Sequence, residues 1–135
     1  IMENGSHFYE ILDLGFGRCR FALACCKGTD FFGGYKAKTV ASKYPNVARQ
    51  FFESRAMDVR IIKIEGSVEL APLLGLADGI VDIVETGTTL RENDLTVIEE
   101  FMPISARFIA NKASYKFKYA QLTELLTKMK EALTQ

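Results

Sequence analysis

The hexapeptide Gly79–Val84 (GIVDIV) limits what this chain can become more than any other stretch. It is mostly apolar and β-branched in both phases of a strand's pleat, so neither face of the strand it forms tolerates water. Such a strand belongs at the centre of a sheet covered on both sides, and the surrounding pattern supplies the covers. Residues 8–14 (FYEILDL), 18–26 (RCRFALACC), 39–42, 58–64 (DVRIIKI), 97–104 and 106–111 read as further strands. Helical spacing over 47–55 follows Pro45-Asn46. A short helix over 68–76 has Ser67 as its cap and Glu69 in its first turn, and a final helix carries Tyr119, Leu122, Leu126, Met129 and Leu133 at three- and four-residue intervals. The order is mixed βαβα, which predicts an α/β fold with parallel pairing and ligands beyond the carboxyl ends of strands. Residues 27–38, with three glycines and no core period, read as a mobile surface loop or wide hairpin.

Composition removes several functions. A chain of 135 residues with 48% hydrophobic and 25% charged residues is globular rather than disordered, and 17 basic against 17 acidic residues leave no basic footprint for nucleic acid. The one histidine, His7, excludes most histidine relays and multi-histidine metal sites. Cys19, Cys25 and Cys26 match neither a C-x-x-C motif nor an even disulfide framework, and read as reduced core thiols. No apolar run approaches the ~20 residues of a membrane span and residues 1–10 lack a secretory pattern, so the expectation is a cytoplasmic protein without membrane association. The chain opens at Ile1 with Met2 behind it, which reads as a sequence whose upstream portion is absent.

Chemistry concentrates in residues 78–93, DGIVDIVETGTTLREN. An apolar strand delivers Asp82 and Glu85 to its carboxyl end. Threonine hydroxyls, a glycine without Cβ and a run of backbone N–H groups follow at a helix start. This can cradle a phosphate, with the acids accepting from sugar hydroxyls or facing magnesium. A Thr-Gly turn that only caps a helix has the same spacing. Glu69 can contact ligand or stabilise its own helix; Lys43, ending a strand, can face polyphosphate or water. Residues 112–118 (KASYKFK) read as a solvated or subunit-facing surface.

Residues 80–89 also resemble the pattern of phosphoribosyl pyrophosphate binders, a hydrophobic strand with acids followed by T-G-x-T. The acids stand as D-I-V-E, where many phosphoribosyltransferases carry two adjacent ones. Ala41-Ser42-Lys43-Tyr44-Pro45-Asn46, Gly66-Ser67-Val68-Glu69-Leu70-Ala71-Pro72, Gly75-Leu76-Ala77-Asp78 and the opening YEILDLGFGRCRFALA complete the likeness. Over most of residues 9–115 the chain resembles ATP phosphoribosyltransferase, the first enzyme of histidine biosynthesis.

That resemblance implies a periplasmic-binding-protein-like two-lobed α/β fold, one lobe largely complete and the other partial. Residues 1–17 would be a remnant of the first lobe, 18–110 the second, and 111–135 a helix returning to the first, with 18–26 and 106–111 as crossover strands. It implies the short form of the catalytic subunit, lacking its N-terminal segment, assembled as an oligomer and dependent on a regulatory subunit resembling histidyl-tRNA synthetase. The implied reaction moves phosphoribose from phosphoribosyl pyrophosphate to N1 of ATP and releases pyrophosphate. In it, Asp82 and Glu85 are the catalytic acids at the ribose hydroxyls, and Thr86, Gly87, Thr88, Thr89 and Leu90 bind phosphoribosyl pyrophosphate. Glu69 and Lys43 touch nucleotide or ribose. Mg2+ arrives with the substrate near Asp82 and Glu85, with no direct protein ligand. The 135-residue chain alone is expected to be inactive. A non-catalytic small-ligand-binding module of the same fold is the alternative.

Overall fold

The computed structural model describes residues 1–4, 8–34 and 36–134. His7 and Tyr35 lie outside them, and with them the reading of the lone histidine and part of the expected 27–38 loop. In chain order the elements are β1 (Phe8–Asp13), β2 (Cys19–Cys26), β3 (Lys38–Ser42), α1 (Pro45–Ser54), β4 (Val59–Lys63), α2 (Leu70–Leu73), β5 (Gly79–Val84), α3 (Thr88–Glu92), β6 (Leu95–Ile104), β7 (Arg107–Asn111), α4 (Lys112–Phe117) and α5 (Tyr119–Leu133). They form two compact units, Cys19–Pro103 and the pair of segments Ile1–Arg18 and Ile104–Gln135.

The Cys19–Pro103 unit is a five-stranded mixed sheet in the order β4-β3-β5-β2-β6. β3 runs parallel to β4 and to β5, while β2 pairs antiparallel with β5 from Arg20↔Val84 to Ala24↔Ile80. β5 is therefore central, as its two-faced hydrophobicity requires, and Gly79, Ile80, Val81 and Val84 are all buried.

The two faces take different side chains. On one, Ala22, Ala24, Ala41, Ile80 and Val84 pack with Val68 and Ala71 of the α2 segment and Leu90 of α3. Small residues on β2 and β3 bring these short helices close to the sheet. On the other, an aromatic cluster covers the sheet: the Phe51 and Phe101 rings stack at 4.1 Å, Phe21 stacks on Phe101 at 6.1 Å, and Phe52 meets Phe51 edge-on at 5.0 Å. Phe31, 2% exposed, joins this cluster at 6.2 Å from Phe52. The stretch expected as a surface loop or wide hairpin with no core period thus anchors one of the largest buried side chains. Gly79 accommodates it, since a Cβ there would lie 3.1 Å from the Phe31 ring.

Several boundaries differ from the sequence reading. The helix expected over 68–76 is only Leu70–Leu73, and its N-cap is Glu69, not Ser67. Ser67 contributes its carbonyl, which accepts from Leu70 N–H at 3.3 Å, rather than its hydroxyl. Gly75, at φ 74°, ends the helix: its N–H donates to Pro72 O and that of Leu76 to Ala71 O, the paired bonds of a Schellman motif. α1 begins at Pro45, whose missing N–H costs nothing in a first turn. Of the cysteines, Cys25 is buried while Cys19 and Cys26 are half-buried, and none of the three is in a disulfide among the described residues. Burial pushes the Cys25 thiol up, which keeps it protonated and inert.

The second unit pairs β1 antiparallel with β7, with a register shift between Glu10 and Leu12, and adds α4 and α5. Residues 104–110 lie in this compact unit, where β7 takes its hydrogen bonds from β1. Arg107 bridges Glu10 at 2.6 Å and Asp13 at 3.4 Å. The Asp13 carboxylate accepts from Gly15 N–H at 3.0 Å and the Ser105 hydroxyl at 2.8 Å, bonds that hold its carboxyl below the usual range. Tyr9, Tyr115 and Tyr119 form a chain of ring contacts at 4.9 and 5.5 Å. Among the described residues of this unit Ala110 alone is buried.

Candidate active site

The site grows from the carboxyl end of β5, where the strand gives way to the loop Glu85-Thr86-Gly87 and then to α3. Gly87 makes the turn possible by adopting φ 79° and ψ 4°, left-handed values that cost an L-residue about 1–2 kcal/mol. Being the N-cap, it offers no side chain to the helix. Of the loop N–H groups, that of Thr88 reaches Thr86 Oγ1 at 3.3 Å. Those of Thr86, Gly87 and Thr89 have no protein acceptor among the described residues. The two hydroxyls of Thr86 and Thr88 bond each other at 2.9 Å and are exposed. Any helix start leaves first-turn N–H groups without an intrahelical acceptor, so these open donors suit a plain helix cap and an anion site alike. Here they stand open to an anion, which main-chain N–H groups in such an array bind well.

Two arginines absent from the sequence reading hold the loop. Arg20, on β2, donates from Nη1 to the Glu85 carbonyl at 2.8 Å and ion-pairs with Glu100 at 2.6 Å. Arg91, on α3, donates to the Thr86 carbonyl at 3.2 Å and the Thr88 hydroxyl at 3.3 Å. Both act through backbone carbonyls, which leave no mark in a sequence. Because the C=O and N–H of a trans peptide point in opposite directions, tying down these carbonyls aims the next N–H groups away from the arginines. Asn93 secures the far side through Thr89 O at 2.8 Å.

The predicted residues fall into two groups. Asp82 shares a face of the pleat with Ile80 and Val84, beneath the α2 segment, and Glu69 and Lys43 both act on its charge. Burial pushes the Asp82 carboxyl above the usual range; the Ile83 N–H, donating to Oδ1 at 2.8 Å, pulls it down, Glu69 raises it and Lys43 lowers it. Asp82, Glu69 and Lys43 therefore form one electrostatic group at the carboxyl edge of the parallel strands. Glu85 is separate: exposed, at the loop's entrance, with its carbonyl held by Arg20. Thr86, Thr88 and Thr89 are exposed on the loop, with Gly87 half-buried between them. The Leu90 side chain is 5% exposed and packs in the hydrophobic core, so only its main chain can face a ligand. Among the described residues no three His, Cys, Asp or Glu side chains are grouped to hold a metal, and no helix is long and apolar enough to cross a membrane.

An α/β unit with an exposed loop beyond the end of its central strand defines a class. The holo ArgBP of T. maritima shares the fold over 94% of this chain and 55% of its own, with a TM-score of 0.64 at 15% identity. This is the two-lobed architecture of periplasmic binding proteins. The chain belongs to the HisG family, ATP phosphoribosyltransferase, whose model matches residues 1–131. An ATP phosphoribosyltransferase of Clostridium kluyveri is 52% identical over 135 residues, all of this chain and 62% of the relative. The ATP phosphoribosyl transferase (HisG:HisZ) complex from Thermotoga maritima contains a chain that matches 98% of this one at 37% identity, with a TM-score of 0.85 and 65% of its own length covered. The chain thus spans less than two thirds of the relatives it matches.

Proposed function

We propose that this chain carries the phosphoribosyl pyrophosphate site of an ATP phosphoribosyltransferase, which moves phosphoribose to N1 of ATP and releases pyrophosphate in the first step of histidine biosynthesis. The observation that carries the reading is the loop at residues 86–89, whose open N–H groups and paired hydroxyls lie at the end of the strand bearing Asp82. The loop takes the 5-phosphate. Asp82 and Glu85 accept from ribose hydroxyls and so fix the sugar while its anomeric carbon becomes cation-like. Their negative charge stabilises that carbon, and no protein nucleophile is required. Glu69 and Lys43, coupled to Asp82, meet the nucleotide or the ribose.

A magnesium ion fits this donor set as a guest of the substrate, since Mg2+ commonly binds one or two carboxylates plus phosphate oxygens. It would sit near Asp82 and Glu85 and neutralise the departing diphosphate. The same reading makes the protein a cytoplasmic subunit in an oligomer with a regulatory partner, as the name of the T. maritima complex suggests. Residues 1–17 and 111–135 are the part of a first lobe present in the sequence.

Titration of the chain with phosphoribosyl pyrophosphate and Mg2+ tests the site. Amide signals of Gly87 and Thr88 should shift, and Thr88→Val, which removes one hydroxyl bond worth about 0.5–1.5 kcal/mol, should weaken binding several-fold. Unmoved signals or an unchanged affinity would sink the assignment. Asp82→Asn with Glu85→Gln separates an enzyme from a binding module of the same fold. Loss of pyrophosphate release in a full-length active form marks the former, while intact ligand affinity with no turnover in any form marks the latter. With ATP supplied, the 135-residue chain alone should release no pyrophosphate.

A further inference from the structure

Among the described residues one polar residue is fully buried, and it lies at the carboxyl edge of the parallel strands. Ser42, the last residue of β3, is 0% exposed. Its hydroxyl donates to Val81 O at 2.7 Å and accepts from Tyr44 N–H at 2.9 Å. A buried serine that both donates and accepts thus satisfies two main-chain groups with a single oxygen. The Ser42 carbonyl accepts from Ile64 N–H at 3.0 Å, so the chain leaving β4 is tied to the same residue.

The two bonds of the hydroxyl bracket a pair of residues that the proposed site needs. The parallel register of β3 with β5 runs from Val40↔Gly79 to Ser42↔Val81 and stops there. The next residues of the two strands are Lys43 and Asp82, the first pair beyond the ladder. Alternation sets Lys43 on the face of Asp82: Ala41 packs with Ile80 and Val84 on the α2 side, while the Tyr44 ring meets Phe21 edge-on at 5.3 Å on the aromatic side. β3 ends at Ser42 and α1 begins at Pro45, so the pairing with β5 does not extend to Lys43. The Ser42 oxygen supplies the constraint instead, because one atom holds both the residue before Asp82 and the residue after Lys43.

We propose that Ser42 is a positioning residue of the ligand site: through Val81 O and Tyr44 N–H its hydroxyl holds the exit of β3 so that Lys43 stands abreast of Asp82. The inference rests on the reading of Lys43 and Asp82 as ligand contacts, and it gives a purpose to a hydroxyl buried where its neighbours Val40 and Ala41 are apolar. Ser42 itself, being buried, touches no ligand. A lysine is a point charge on a flexible four-carbon stem, so the backbone beneath it decides where that charge can reach. Alanine at position 42 would leave the Val81 carbonyl and the Tyr44 N–H without this partner, and the turn would move to bring them to others.

A double-mutant cycle in the 135-residue chain tests this with Ser42→Ala, Lys43→Met and the two combined. The first readout is the Ile83 amide signal without ligand, which reports on Asp82 because that N–H donates to Oδ1 at 2.8 Å. The second is the affinity for phosphoribosyl pyrophosphate with Mg2+. In the wild-type background Lys43→Met should shift the Ile83 signal and weaken binding about tenfold, as loss of a charged contact does. In the Ser42→Ala background the same change should shift Ile83 far less and cost at most about twofold. Unshifted β6 amides show that the sheet is intact, and Ser42→Cys, which fills the space with a weaker donor, takes the place of Ser42→Ala if that variant does not fold. No binding by wild type overturns the site reading and this inference together. Binding by wild type with equal Lys43→Met effects in both backgrounds overturns the role of Ser42 alone, since a serine that only stabilises the sheet leaves the Lys43 contribution unchanged. Lys43→Met that binds like wild type also overturns it, because Lys43 then needs no positioning.

Discussion

At Asp82 the central strand carries a carboxylate where its neighbours are apolar, and burial raises its affinity for a proton above that of the unfolded chain. The direction of the consequence follows from linkage. A group whose folded pKa is raised costs the native state nothing below the unfolded pKa, because it is protonated in both states; the cost grows as pH rises through the folded pKa and is fully present above it. Asp82→Asn, which keeps an acceptor for the Ile83 N–H, should therefore be more stable than wild type at neutral pH, with the gain vanishing by about pH 3. Urea melts of both proteins across that range check this. A gain that persists in acid, or a loss at neutral pH, contradicts the assigned cause. The same variant should lose sugar binding, since a residue that costs stability in a sheet centre is the kind retained for chemistry. Asp82 was legible from its place in GIVDIV, but its coupling to Glu69 was not, because twelve intervening residues hide that α2 returns over the same face.

Among the elements, the helix ends were read least well, and for a common reason. α1 stops in a Schellman motif, with Ala56 N–H donating to Glu53 O and Met57 N–H to Phe52 O, and this sets Ala56 at φ 53°. Alanine carries no breaker signal, so nothing in the sequence announces the turn. α2 ends in the same motif at Gly75, where the signal was present and the apolar run over residues 68–76 outweighed it. The strained alanine yields a prediction. Ala56→Gly removes a Cβ clash worth about 1–2 kcal/mol and adds back about 0.5–1 kcal/mol of unfolded-state entropy, for a net gain of about 0.5–1 kcal/mol. A rise in the urea midpoint with an unchanged denaturant slope supports it; a fall shows that Ala56 makes a contact worth more than its strain. Phe31 illustrates the opposite limit. Glycines 28, 33 and 34 mark its surroundings as loop, correctly, but loop chemistry does not show that one aromatic ring turns inward to meet Phe52.

At the scale of the molecule, the alternation of apolar strands with short helical patterns was enough to specify the sheet, because each strand's periodicity is a local property. The grouping of strands was not, since 104–110 look equally suited to either unit until their partner is known. The two units also differ in what holds them. Every buried hydrophobic side chain among the described residues except Ala110 lies in the Cys19–Pro103 unit, where β5 has a neighbour on each edge and covered faces. The other unit has a two-stranded ladder and an α5 with no buried residue, and ladders of two strands are marginal in water without further cover. Local opening should follow that division. In hydrogen exchange of the 135-residue chain, amides of β5 and of the β2 strand paired to it should open only with the whole sheet. Those of β1, β7 and α5 should exchange faster by on the order of a hundredfold or more. Denaturant should then accelerate β5 exchange steeply and β7 exchange weakly, because the smaller unit exposes little buried surface when it opens. Equal protection and equal denaturant dependence in β5 and β7 would show one cooperative structure, and would refute the view that the smaller unit lacks a core of its own.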